Sequence, residues 1–188
     1  MFATYLELGI GHILDPNGID HVLFLVVLVL AYQLSQWKQV IILATAFTLG
    51  HSLTLAMAAF NLVQLDSAFI ELLIAISIAV TALYNLAKPV SASLSALRYS
   101  AALFFGLIHG LGFSNYFRII LGKDSIVGPL LSFNLGVEIA QVIIVTVVLL
   151  IMHLLTQILK LEKKYVVIAI SAIVLVLSMK MVVERLLT

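Results

Sequence analysis

Residues 11–32 read GHILDPNGIDHVLFLVVLVLAY, a short turn followed by an unbroken apolar run. Pro16-Asn17-Gly18 is a turn signal that brings its flanks together, with His12 on one side and Asp20 and His21 on the other. Imidazole and carboxylate are ligands that borderline divalent metals such as nickel, cobalt and zinc accept. The same residues have a plainer account, with His12 interfacial, Asp20 an N-cap and His21 the next position of the helix. The apolar run behind them reads as a membrane span over about 18–34, closed by Gln33, Ser35, Gln36 and an interfacial Trp37.

Composition agrees with a membrane location. Of 188 residues, 63% are hydrophobic and only 10% charged, with a mean hydropathy of +1.23. Soluble domains carry about a quarter charged residues, so this is an integral membrane protein. There is no cysteine, which excludes disulfides, thiolate metal sites and a cysteine nucleophile. Net charge is +1 with no long basic block, so no nucleic acid is expected as a partner. The N-terminus lacks a basic region followed by a small-residue cleavage site, and no removable signal peptide is expected.

Residues 2–14 are apolar but too short to span, since about 20 residues are needed. They read as an interfacial or re-entrant helix leading into the turn. Further spans are expected at about 39–60, 67–87, 99–117, 129–155 and 165–183. A Ser/Ala-rich loop runs from Pro89 to Arg98, a second loop from Arg118 to Pro129, and a basic turn from Lys160 to Lys164. The expected fold is therefore all-α: a polytopic membrane bundle of about six transmembrane helices plus a short N-terminal helix, residues 1–188 forming one transmembrane domain. In that model, Lys38, Lys88, Arg98, Lys160, Lys163 and Lys164 fall on one side and Arg118, Lys123, Lys180 and Arg185 on the other. The positive-inside rule then puts both termini and the His12–His21 turn outside.

An ionisable group inside a span costs at least a few kcal/mol, so it should face the bundle interior and have a partner. Counting about 1.5 Å per residue, Asp20 and His21 lie within roughly 5 Å of the outer face and Glu71 roughly 6 Å down. His51 and His109 both come out about 13 Å deep, Asn134 about 8 Å and Glu138 about 14 Å. Asn134, Glu138 and Gln141 share one helix face, as do Thr48, His51 and Ser52. Glu71, Ile74, Ile78, Thr81 and Asn85 make another stripe. Gly106 and Gly110 form a small-xxx-small pair that lets a second helix approach beside His109. Each feature also has a structural account. Glycines serve packing, Ser and Thr bond their own i−4 carbonyls, and Glu138 and His51 could simply pair. His153 reads as interfacial and unconnected.

GHIL…GIDHVLFL, FTLGHSLTLA at 47–56, Glu71 with IAISI at 74–78, FGLIHGLGFS at 105–114 and FNLGVEIAQ at 133–141 together resemble the HupE/UreJ family, particularly its second branch. The resemblance covers about residues 9–145, five blocks in order. It implies a membrane protein linked to hydrogenase and urease maturation, a nickel or cobalt permease in a bacterial inner membrane. The family's pattern of a histidine followed by Asp-His falls on His12, Asp20 and His21, though with a longer gap. The resemblance further implies that His51, Glu71, His109 and Glu138 belong to the same set.

The metal set expected is thus His12, Asp20, His21, His51, Glu71, His109 and Glu138, supported by Thr48, Ser52, Asn85, Asn134 and Gln141. Its ligand is a divalent transition metal ion (nickel, cobalt or zinc), with room for two ions. The partners expected are that metal and the lipid bilayer, with self-association into a homo-oligomer left open. The leading function is metal permeation with the site facing outside. The alternatives are an intramembrane metal-dependent enzyme, of zinc-hydrolase or metal-oxidoreductase type with Glu71 or Glu138 as base, and a metal-binding assembly scaffold. Against a complete path stands the inner half, where Ser77, Thr81, Asn85, Thr146 and Ser171 are polar but none is ionisable.

Overall fold

The computed structural model describes residues 1–16, 18–63, 65–89, 96–121 and 126–187. Asn17 of the turn, residues 90–95 of the Ser/Ala-rich loop and 122–125 of the later loop lie outside the described residues. Among the described residues the regular structure is all helical: α1 (Phe2–Leu14), α2 (Asp20–Val29), α3 (Trp37–Ala59), α4 (Ser67–Ala87), α5 (Ala96–Leu121), α6 (Val127–His153) and α7 (Lys163–Leu187). A single 3₁₀ turn, Leu34–Gln36, precedes α3, and a π turn, Leu154–Ile158, prolongs α6. Five helices, α3 to α7, are long and apolar enough to cross a membrane. This is the helical membrane bundle that composition demands.

Local chemistry sets several boundaries. Gln33 and Gln36 form a capping box before α3, which satisfies orphan donors at the helix start. Asp66 accepts from the Phe69 amide at 3.0 Å and so caps α4. Asn61, with φ of 57°, takes the left-handed conformation that stops α3. The expected loop from Arg118 is helical to Leu121.

The first expected span differs. Instead of running over 18–34, its helix covers only Asp20–Val29, about 15 Å at the normal rise. His21, Leu23, Phe24, Leu25, Val27, Leu28 and Val29 are all buried, so α2 is a central strut enclosed by protein. A helix that is apolar all round suits a protein core as well as lipid, and hydropathy alone does not separate the two. Near its end the Val27 carbonyl accepts from Asn85 at 2.6 Å, and the Ala31 carbonyl accepts from Lys163.

These contacts and those of α1 fix the chain's path. The Tyr5 hydroxyl donates to the Ile120 carbonyl at 3.3 Å, near the end of α5, while the His12 ring lies 4.0 Å from that of Phe113, further back along the same helix. Thus α1 enters from the face that carries Asn61 and runs into the bundle. α2 continues to the opposite face, which carries Lys88 and the start of α7. Together they make one broken traverse, the first helix ending at Leu14 and the second beginning at Asp20. Non-helical backbone at membrane depth is tolerated where protein or a water-filled cavity satisfies it, and broken helices of this kind build binding sites in transporters.

Around α2, α3 packs on α5, α1 on α6, and α4 on α7. Two of these pairs are as close as backbones allow. A methyl group at Gly50, Gly106 or Gly110 would strike backbone across the α3–α5 seam, and one at Gly9 or Gly136 would do so between α1 and α6. The small-residue pair expected beside His109 therefore has the packing role.

Candidate metal centre

Four imidazoles meet where the broken traverse is interrupted. His12 comes from the last turn of α1 and His21 from the first turn of α2, while His51 and His109 come from the middle of α3 and α5. Ring centroids lie 4.6 Å apart for His12–His21, 5.7 Å for His12–His51, 6.1 Å for His21–His51 and 5.0 Å for His21–His109. One ligand nitrogen from each of His12, His21 and His51 falls within 4.8 Å of the others. The glycine seam sets this spacing. Gly50 lies beside His51 and Gly110 beside His109, and their lack of side chains lets α3 and α5 close together.

The ring nitrogens have unequal surroundings, and the differences assign their roles. The Nδ1–H of His21 donates to Asp20 Oδ1 at 3.0 Å, and the same oxygen accepts the His21 amide at 2.8 Å. This leaves Nε2 of His21 as a bare lone pair. Ser77 donates its one hydroxyl proton to the Ile74 carbonyl at 2.7 Å. Its oxygen therefore accepts from Nε2–H of His109 at 3.1 Å, and Nδ1 of His109 carries the lone pair. Nε2 of His12, Nε2 of His21, both nitrogens of His51 and Nδ1 of His109 are buried with no hydrogen-bond partner. Buried polar atoms are ordinarily satisfied, because an unmet one costs about 1–3 kcal/mol. A neutral imidazole has one lone pair, so His51 contributes one of its two nitrogens, and four unmet nitrogens, one from each ring, fit a cation bound by lone pairs.

Aromatic rings wall the cluster. Phe113 stands against His12, and Phe24 and Phe47 each lie 5.1 Å from His109. Phe133 stacks on His51 at 6.4 Å. On the other side, a groove of about 630 Å³ lined by Thr4, Glu7, Leu8, Gly11, His12, Asp15, Phe113 and Tyr116 opens from His12 to the exterior. The cluster is thus walled by Phe24, Phe47 and Phe133, and the groove reaches it past His12 and Phe113.

The remaining expected residues are elsewhere. Asp20 reaches the cluster through His21, and it opens α2 as its first residue, with Ile19 as N-cap. Glu71 pairs with Arg185 at 2.9 Å, half exposed near the Asn61 face. Glu138 accepts from Thr45 at 2.6 Å and from Thr48, and Thr48 also contacts Gln141. Asn134 donates to the Leu130 carbonyl at 2.9 Å while its oxygen has no partner. Asn85 belongs to the Lys88 end through Val27, and Ser52 is half-buried next to His51. The depth count for Asp20 and His21 also changes. The His21 ring lies 6.1 Å from that of His51 and 5.0 Å from that of His109, so it sits level with them, and Asp20 is bonded to it.

Ser77 and the phenylalanines were not among the expected site residues. The rings were legible, since Phe47 and His51 are four apart, as are Phe105, His109 and Phe113, a spacing that puts them on one helix face. Ser77 left no signal, because its role depends on α5 lying across from it.

The family model described as HupE / UreJ protein matches residues 1–185. The chain belongs to the HupE/UreJ family. No curated protein and no solved structure matches it. The HupE/UreJ match takes in both halves of the broken traverse and all four cluster histidines, so it covers the whole site.

Proposed function

We propose that this HupE/UreJ protein carries a divalent transition metal ion, nickel or cobalt, across a bacterial inner membrane, with the Asn61 face outside. The observation that carries the reading is the convergence of His12, His21 and His51 with their lone pairs unmet. His109 supplies a fourth nitrogen from α5. Imidazole suits nickel, cobalt and zinc, and cysteine, which would favour softer ions, is absent.

An ion arrives through the groove past Glu7 and Asp15, whose carboxylates attract cations. His12 stands where the groove meets the cluster and makes the first nitrogen contact. The ion exchanges water for imidazole there, while the phenylalanines keep further water out. Asp20 holds His21 in the tautomer that presents Nε2 and offsets part of the ion's charge, as carboxylates behind metal-bound histidines do. Neutral imidazoles backed by one carboxylate leave a divalent ion with about one uncompensated positive charge in a poor dielectric. That residual cost keeps the ion from being trapped, and transport requires release.

The test is metal analysis of the purified protein together with accumulation in proteoliposomes. The expected result is bound nickel or cobalt that exchanges, with time-dependent accumulation abolished by His51→Ala. Empty liposomes combined with stoichiometric, non-exchanging metal would overturn the carrier and favour an intramembrane enzyme or an assembly scaffold.

A further inference from the structure

Glu138 stands apart from the imidazoles, and its surroundings have a chemistry of their own. It lies between α6 and α3, where Thr45 donates to Oε1 at 2.6 Å and Thr48 contacts Oε2. The Thr48 hydroxyl is also 3.0 Å from Oε1 of Gln141 and 3.2 Å from the Ala44 carbonyl. Gln141 is fully buried, and its Nε2 has no partner. Relative to His51, Thr48 and Thr45 lie about 4.5 and 9 Å further along α3 toward the Lys88 face.

The proton count here does not close. Thr48 has one hydroxyl proton facing three acceptor oxygens. Reversing the Gln141 amide supplies a donor to Thr48 but strands the amide oxygen instead. As placed, the atom left over is Nε2, a donor that no cation satisfies; reversed, it is the amide oxygen, an acceptor that a cation meets. The carboxylate charge is also unopposed, since no ion pair among the described residues reaches Glu138. A carboxylate inside a span is costly without a counter-charge.

We infer that Thr45, Thr48, Glu138 and Gln141 form a second cation site, built only of oxygen donors and suited to a hard monovalent cation, sodium. Two carboxylate oxygens, two hydroxyls and one amide oxygen converge. Oxygen sets of this kind select hard cations, whereas the imidazoles select borderline transition metals. A single carboxylate is neutralised by a monovalent ion, while a divalent one would leave a positive charge in the bundle. A proton would also neutralise the charge, but it needs one oxygen where five are gathered. The site shares no ligand with the imidazole cluster and stands whether or not that cluster carries a metal.

The experiment uses the full-length purified protein, with ²²Na⁺ equilibrium binding and Tm measured in sodium chloride and in choline chloride at equal ionic strength and pH. The expected result is one saturable sodium per chain and a higher Tm in sodium, because a ligand that binds only the folded state stabilises it. Glu138→Gln should weaken sodium binding by about tenfold or more, and Thr45→Val by less. Equal Tm in the two salts with no saturable binding to the wild type overturns the site, and that comparison needs no variant to fold. Sodium stabilisation that survives Glu138→Gln overturns it as well. A Tm that follows pH and ignores sodium would make the occupant a proton. Metal content of the same samples reports on the imidazole cluster separately.

Discussion

Asp20→Asn is the substitution that separates two accounts of the first motif. If Asp20 is itself a metal ligand, its loss should cost as much as loss of an imidazole. If it acts through His21, the loss is smaller and of a definite kind. Asp20 Oδ1 accepts both the His21 amide at 2.8 Å and its Nδ1–H at 3.0 Å. An asparagine oxygen can keep both bonds but removes the negative charge behind the ring. Removing a group of this kind typically weakens metal affinity by about 10–100-fold, which is about 1.4–2.8 kcal/mol. His21→Ala deletes the ligand outright and should fall below that range. The assay is equilibrium binding of nickel or cobalt to the purified variants, with circular dichroism to show that the helices persist. Affinity equal to the wild type would refute the orienting role of Asp20. A loss as large as that of His21→Ala would show direct ligation.

Three further outcomes are expected. Metal binding and uptake should decline as the medium is acidified, because metal and proton compete for the same lone pairs; affinity that never falls across the whole pH range in which circular dichroism shows the helices intact would contradict imidazole ligation. Glu71→Gln should leave metal stoichiometry unchanged and cost at most about 1 kcal/mol of stability, as expected for a half-exposed ion pair; loss of bound metal would instead place Glu71 in the metal set. Gly106→Leu should destabilise the protein by about 1–3 kcal/mol or prevent its folding, since there is no room for a side chain against the Phe47 backbone; a Tm equal to the wild type in a thermal unfolding scan would contradict the close seam.

Much of the bundle and part of its site were legible in the chain. The expected spans at 39–60 and 67–87 match α3 and α4 within a residue or two, because apolar length and helix caps are local properties. His51 and His109 were placed at one depth by counting residues, and the structure brings them to one cluster. His12 and His21 were flagged as a pair across a turn, and their rings stand 4.6 Å apart. Glu71 shared the apparent depth of His21, and Glu138 that of His51 and His109, yet they turned to Arg185 and to the threonines. Depth along a helix does not fix the direction around it, nor which neighbour lies opposite.

The sequence by itself determined that this is a helical membrane protein rich in intramembrane histidine and free of thiolate ligands, since hydropathy, period and composition need no knowledge of neighbours. Only the tertiary structure decided that the first apolar run is a half-length buried strut, and that the helix before it carries His12 to the rings of His21 and His51. The same packing put Asp20 behind His21 and Ser77 behind His109, and set Glu138 against the hydroxyls of Thr45 and Thr48. The physical reason is the close crossing of helices at their glycines. Backbone contact there sets the rotation and height of each helix, and these choose every side chain's partner.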